Sequence, residues 1–155
     1  MNAAQIVAML RNKSWRLATA ESCTGGLVAA AITNVSGSSD VFDRGFVTYS
    51  NASKTEILGV PASVIETHGA VSAIVAGMMA KGALAHSKAQ VAVAITGIAG
   101  PGGGSILKPV GLVHFSCATQ SDTIYFECRY GDLGRAAIRQ KAVKQALSLI
   151  AQVCN

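Results

Sequence analysis

Apolar positions along this chain switch repeatedly between a period near 3.6 and short continuous runs, which predicts strands of one sheet alternating with the helices that cover it. Ala3, Ile6, Val7 and Leu10 fall at helical spacing, giving an amphipathic first helix that ends near Arg11-Asn12-Lys13. Leu17, Ala18, Thr19 and Ala20 read as a short buried strand with Trp15 at its edge, and residues 27–35 as a second helix that Ser36-Gly37-Ser38-Ser39-Asp40 breaks. Residues 42–49 supply another strand, and a helix opens near Asn51. Pro61 suits the first turn of a short helix, and residues 71–86 form a long helix rich in Ala, Gly and Met whose small side chains predict close packing. Residues 91–96 are a buried strand. Residues 111–118 and 123–129, joined by Thr119-Gln120-Ser121-Asp122, read as a β-hairpin, so at least one strand runs antiparallel and the sheet is mixed. A last helix over 134–153 carries Ile138, Val143, Leu147 and Ile150 on one side and Arg135, Arg139, Lys141 and Lys144 around its first turns. The expected fold is a single α/β domain, a three-layer α/β/α sandwich with a mixed, mostly parallel central sheet.

Composition sharpens this picture. The 155 residues fit one domain, 1–155, and no second domain or linker is expected. Half the chain is apolar and only 14% is charged, a balance that suits near-continuous apolar strands buried between helices. The net charge of +5 favours a small acidic ligand through long-range steering. With 5% aromatic residues and no stripe of Lys or Arg, neither a stacking platform nor a phosphate-tracking groove for nucleic acid is visible. Cys23, Cys117, Cys128 and Cys154 lack metal-ligand spacing, so neither a zinc site nor a disulfide framework is expected. The N-terminus has no leader pattern and no stretch is apolar enough to span a bilayer, so the expectation is a soluble, cytoplasmic protein with reduced thiols. A small domain with a Gly/Ala/Met-rich helix is also expected to form a homo-oligomer, a dimer.

Three segments carry candidate chemistry. Glu21-Ser22-Cys23-Thr24-Gly25-Gly26 lies where the first strand turns into the second helix. A small hydroxyl residue there either faces a ligand held by free backbone N–H groups or merely caps the helix, and the six residues alone leave both readings open. Lys54 stands in the helix that follows Tyr49-Ser50-Asn51. It is either a solvated helix lysine or, if buried near a helix N-terminus, a base: moving its pKa from about 10.4 to ~7 takes roughly 4–5 kcal/mol of differential stabilisation. Tyr49 is placed to relay a proton or to orient Ser22. The loop Gly97-Ile98-Ala99-Gly100-Pro101-Gly102-Gly103-Gly104-Ser105 follows a buried strand, where backbone amides can meet a ligand, but lacks the Lys-Ser/Thr ending of a P-loop. His68, His86 and His114 form no triad-like pattern and read as surface or packing residues.

Taken together, the segments around Ser22, Tyr49 to Lys54 and Thr96-Gly97 resemble the C-terminal domain of the competence/damage-inducible protein CinA, whose stand-alone members are nicotinamide mononucleotide deamidases. The resemblance runs from about Leu17 to the C-terminal helix. It implies the same three-layer fold, no cofactor and no metal, and a serine, lysine and tyrosine constellation at Ser22, Lys54 and Tyr49. It also implies attack by Ser22 on the carboxamide carbon of a nucleotide, and substrate contacts from Thr96 and Gly97. Backbone N–H groups of Thr24, Gly25 and Gly26 are the expected oxyanion donors. Cys23 is the rival nucleophile, although adjacent residues on a turn point in different directions. A phosphate calls for an arginine, Arg139 first and Arg135 second, against the reading of both as solvated helix residues; Leu133-Gly134 interrupts the family's Gly-Asp-Arg run after Gly131-Asp132, so the run does not by itself choose between them. The competing expectation is a non-catalytic nucleotide-binding or regulatory module.

Overall fold

Side-chain alternation along the two central strands gives the sheet one face of large residues and one of alanines. The structure, a computed structural model, describes residues 1–155. Five strands, β1 (Leu17–Glu21), β2 (Phe42–Val47), β3 (Val91–Gly97), β4 (Leu112–Thr119) and β5 (Thr123–Arg129), lie in the order β2-β1-β3-β4-β5. β1 pairs in parallel with β2 and β3, whereas β4 is antiparallel to both β3 and β5, so β4 alone runs against the others. The helices are α1 (Ala3–Lys13), α2 (Leu27–Thr33), α3 (Asn51–Leu58), α4 (Ala62–His68), α5 (Ala73–Ala85) and α6 (Arg135–Cys154). This is the expected mixed three-layer sandwich, with helices on both faces. β2 stops at Val47, two residues earlier than the pattern suggested, which leaves Thr48 and Tyr49 in the turn before α3.

On one face Leu17 of β1 and Val91, Val93 and Ile95 of β3 join Phe115 against α1, α2 and α6 in a core of 24 buried residues. On the other, Ala18, Ala20, Ala92, Ala94 and Ala118 face α5 in a core of 12. Successive strand residues point to opposite faces, so one sequence run builds both layers. The alanine face lets α5 lie close to the sheet, and the small residues of α5 extend the same closeness to its other neighbours. A Cβ placed on Gly82 would stand 2.1 Å from the Leu58 carbonyl oxygen, and one on Gly77 2.6 Å from the Tyr125 ring. The small side chains of α5 at Gly77 and Gly82 are therefore required by packing within the chain.

The same alternation sets up the carboxyl edge of the sheet. Glu21, the last residue of β1, turns toward α2, and its buried carboxylate accepts the N–H groups of Val28 (2.8 Å) and Ala29 (3.0 Å). No side chain at Gly26 caps α2. Neither Ser22 nor Thr24 caps α2 through its side chain. Ser22 comes next, and so falls on the side of α3 and α5. Its N–H donates to the Ile95 carbonyl (2.9 Å), and the Thr48 N–H to the Glu21 carbonyl (2.9 Å), so strand pairing continues one step past the formal ends of β1 and β2.

Because a methyl at Gly82 has only backbone to displace, Gly82→Ala is expected to lower unfolding free energy by at least ~1–3 kcal/mol. Replacing the neighbouring exposed Lys81 by Ala should stay within about 0.5 kcal/mol. Urea denaturation of both variants checks the contrast.

Candidate active site

Lys54 leaves α3 from the first turn of that helix, whose N-cap Ser50 accepts the Ser53 N–H at 3.1 Å. Its side chain runs inward and is 1% exposed. The Nζ atom lies 3.0 Å from Ser22 Oγ, 2.8 Å from the Thr48 carbonyl oxygen and 3.4 Å from that of Tyr49. No carboxylate pairs with it. Burial therefore holds its pKa below the ordinary lysine value, with only a small opposing influence from Cys23. A neutral amine has two N–H donors and one lone pair. In that state the two carbonyls can take the donors and the lone pair can face the hydroxyl hydrogen of Ser22, whereas an ammonium would donate to all three oxygens.

Ser22 and Lys54 open into a cleft of about 260 Å³ whose wall includes Tyr49, Thr96, Gly97 and Arg135. Thr96 Oγ1 donates to the Ala70 carbonyl (2.9 Å), tying β3 to the segment that leads into α5. Gly97 has to be small: a Cβ there would meet Val113 Cγ2 at 2.8 Å and the Leu112 carbonyl at 2.9 Å. The glycine-rich loop is closed at its base by Ile98 N–H to Leu112 O and Gly111 N–H to Ile98 O. Larger hollows lie beside α1 and around Trp15, Lys81 and Gln120 at the opposite end of the sheet, and neither holds a buried base next to a nucleophile.

No imidazole enters the cleft. His86 Nδ1 faces the Gly82 carbonyl, His114 sits opposite Glu127 across β4 and β5, and His68 ends α4. No group of three or more His, Cys, Asp or Glu side chains is arranged to hold a metal ion, and no helix is long and apolar enough to cross a membrane. Cys23 borders the cleft, but burial pushes its thiol up to about 11, so it stays protonated and weakly nucleophilic at neutral pH.

The model of the CinA C-terminal domain matches residues 1–154. The chain belongs to the CinA C-terminal domain family. It is 51% identical over 138 residues to the nicotinamide-nucleotide amidohydrolase PncC of Enterobacter agglomerans, an alignment that covers 89% of this chain and 84% of that protein. It is 49% identical to a putative competence-damage inducible protein of Caldicellulosiruptor bescii, over 94% of this chain but only 35% of that longer protein. Among solved structures, the competence/damage inducible protein CihA of Agrobacterium tumefaciens superimposes with a TM-score of 0.97 at 49% identity, covering 99% of this chain and 93% of that one. A CinA superfamily protein of Escherichia coli gives 0.93 at 33% identity, over 97% and 87% of the two chains.

In this CinA-family domain the two arginines are placed otherwise than their order in the sequence suggested. Arg135, the second choice for an anion contact, lines the cleft and donates to the Gly100 carbonyl (2.9 Å) and the Tyr49 hydroxyl (2.7 Å). Arg139, the first choice, lies one turn further along α6 and outside the cleft wall. Its Nε donates to the Cys23 carbonyl (3.0 Å) and its Nη2 to that of Thr24 (3.2 Å). The phenol of Tyr49 is thus held by Arg135 rather than by Ser22, and it is the backbone of Tyr49 that reaches Lys54. Of the three expected oxyanion donors, Gly25 N–H is already bonded to the Ser22 carbonyl (3.0 Å), while the amides of Thr24 and Gly26 have no protein acceptor. Sequence reasoning missed Glu21, although a carboxylate six to eight residues before a helix without a side-chain cap is a signal for it.

The buried amine has a thermodynamic signature. Unfolding returns Lys54 to water and to its ordinary pKa, so between the folded and unfolded values the unfolded chain binds more protons and stability rises with pH. The stability of the protein relative to Lys54→Met should therefore increase from pH 7 toward pH 10, as read by chemical denaturation at each pH. A difference that stays constant would mean that the folded amine remains charged.

Proposed function

We propose that this domain is an amidohydrolase that converts nicotinamide mononucleotide to nicotinate mononucleotide and ammonia, with Ser22 as nucleophile and Lys54 as its base. The observation that carries the reading is the buried Lys54 amine, without a counter-charge, 3.0 Å from the Ser22 hydroxyl. The amidohydrolase PncC of Enterobacter agglomerans supports the reaction class, since this chain matches most of its length.

The steps follow from the geometry. Lys54 takes the Ser22 proton as Oγ bonds to the carboxamide carbon, and the carbonyl electrons move onto oxygen. The resulting oxyanion meets the unbonded N–H of Thr24 at the turn. Lys54, now an ammonium, passes its proton to the departing nitrogen, the C–N bond breaks, and ammonia leaves an ester on Ser22. Water then attacks that ester while Lys54 accepts its proton, and the proton returns to Ser22 as the nicotinate product departs. The Thr48 and Tyr49 carbonyls hold the amine in place in both charge states. Thr96 and Gly97 shape the wall opposite. Arg135 is the phosphate contact, because its guanidinium stands in the cleft wall with no carboxylate partner, and Tyr49 fixes its direction.

Ser22→Ala and Lys54→Met should each lower kcat at least ~1,000-fold in an assay of ammonia released from nicotinamide mononucleotide. Cys23→Ala should keep most of the rate; loss of activity there with retention in Ser22→Ala would reverse the assignment. Arg135→Ala should raise KM roughly 10- to 100-fold, the loss of one charge-assisted contact. Because the active amine is neutral, kcat/KM should climb with pH through a value below the usual lysine range. Tight binding of the mononucleotide without ammonia release would leave the non-catalytic module as the better description.

A further inference from the structure

We infer that Arg139 is a positioning residue for the oxyanion site: it aims the peptide planes of the Ser22–Gly26 turn and does not contact the substrate phosphate. The inference rests on the Ser22–Lys54 reading above. Arg139 reaches the turn from α6, on the sheet face occupied by α1, α2 and α6, whereas Lys54 and the cleft lie toward α3 and α5. Its two bonds go to consecutive carbonyls, those of Cys23 and Thr24. In a trans peptide the N–H points opposite to the C=O. Pulling the Cys23 carbonyl toward α6 therefore turns the Thr24 N–H away from α6. Pulling the Thr24 carbonyl the same way turns the Gly25 N–H back, where it closes the turn on the Ser22 carbonyl at 3.0 Å.

Two further observations assign the task to Arg139. The first amides of α2 are unavailable as oxyanion donors, because the Glu21 carboxylate occupies those of Val28 and Ala29. The donors must then come from the turn itself, whose orientation is set from outside. Gly25, at φ +57°, takes the left-handed conformation that the turn needs, and Nη2 of Arg139 packs at van der Waals distance, 3.4 Å, from where a Cβ would be. No carboxylate forms an ion pair with Arg139, so its donors are free for the backbone of the turn. A planar guanidinium spans two adjacent carbonyls with fixed donors, which an ammonium cannot reproduce.

The test compares Arg139→Gln and Arg139→Lys with Arg135→Ala, using nicotinamide mononucleotide and the phosphate-free nicotinamide riboside, together with amide hydrogen exchange at residues 23–26. Arg139→Gln should lower kcat ~100-fold or more, as removal of an oxyanion donor does, with KM within about threefold and the same loss on both substrates. Arg139→Lys should recover only part of that rate. The Gly25 amide should exchange at least about tenfold faster in Arg139→Gln as the turn loosens. The Arg135→Ala defect should instead shrink on the riboside. A raised KM with unchanged kcat that disappears on the riboside would make Arg139 a phosphate ligand and overturn the proposal, as would unchanged turnover and exchange. If Arg139→Gln fails to fold, Arg139→Lys carries the same comparison. If the unmodified protein releases no ammonia from either compound, the amidase reading falls, and the exchange of the Gly25 amide alone decides the role of Arg139.

Discussion

A lysine amine buried with no carboxylate beside it, against a serine hydroxyl, is the constraint on which the rest of this structure depends. Burying an ammonium without a partner is expensive, and a protein relieves that expense by giving up the proton. Lys54 has two backbone carbonyls that a neutral amine satisfies completely and one hydroxyl that needs a base. Burial thus favours the state of the amine in which it can accept a proton from the hydroxyl beside it. On the amidohydrolase reading proposed above, stability and reactivity are coupled through that one proton.

Holding two side chains at hydrogen-bond distance requires a rigid frame, and the parallel half of the sheet supplies it. Ser22 is gripped by β3 on one side, and the end of β1 by the Thr48 backbone on the other. The same Thr48 accepts from Lys54, so the hydroxyl of Ser22 and the amine of Lys54 are both tied to backbone one pairing step beyond the ends of neighbouring strands. The alanine face beneath them matters for the same reason. Small residues bring α5 and the segment around Ala70 close to β3, where Thr96 anchors it. Larger side chains on β1 or β3 would push that wall outward and widen the cleft.

Much of this was legible in the residue pattern, because the pattern is local. The strands, the hairpin, the turn before α3 and the small-residue helix each follow from spacing within one window of sequence. The junction at Ser22 and the loop after Gly97 were legible as places where chemistry belongs, since both follow buried strands. What the sequence did not reveal are the contacts between windows. Arg139 and the turn it holds are separated by 115 residues or more, and nothing in the periodicity of α6 distinguishes a guanidinium bound to backbone from one facing a cleft. The interrupted Gly-Asp-Arg run left two arginines as candidates for an anion, and only the winding of α6 over the sheet decides which of them reaches the cleft. Glu21 was overlooked for a related reason. Within an apolar strand it reads as a strand end, and its function becomes visible only once α2 folds back above it.

The occupied helix end changes the electrostatics of the site. A free N-terminus of α2 beside Ser22 would offer amides and a partial positive charge to an oxyanion, the usual arrangement at such a junction. Here a carboxylate neutralises that end from behind. Positive charge in the cleft must then come from side chains, and α6 directs Arg135 into it while Arg139, one helical turn further along and outside the cleft wall, bonds the turn. A helix far from Ser22 in sequence thus reaches both the cleft and the turn that borders it. Tyr49 links the two sides of the cleft, because its backbone carbonyl serves the lysine and its hydroxyl serves the arginine.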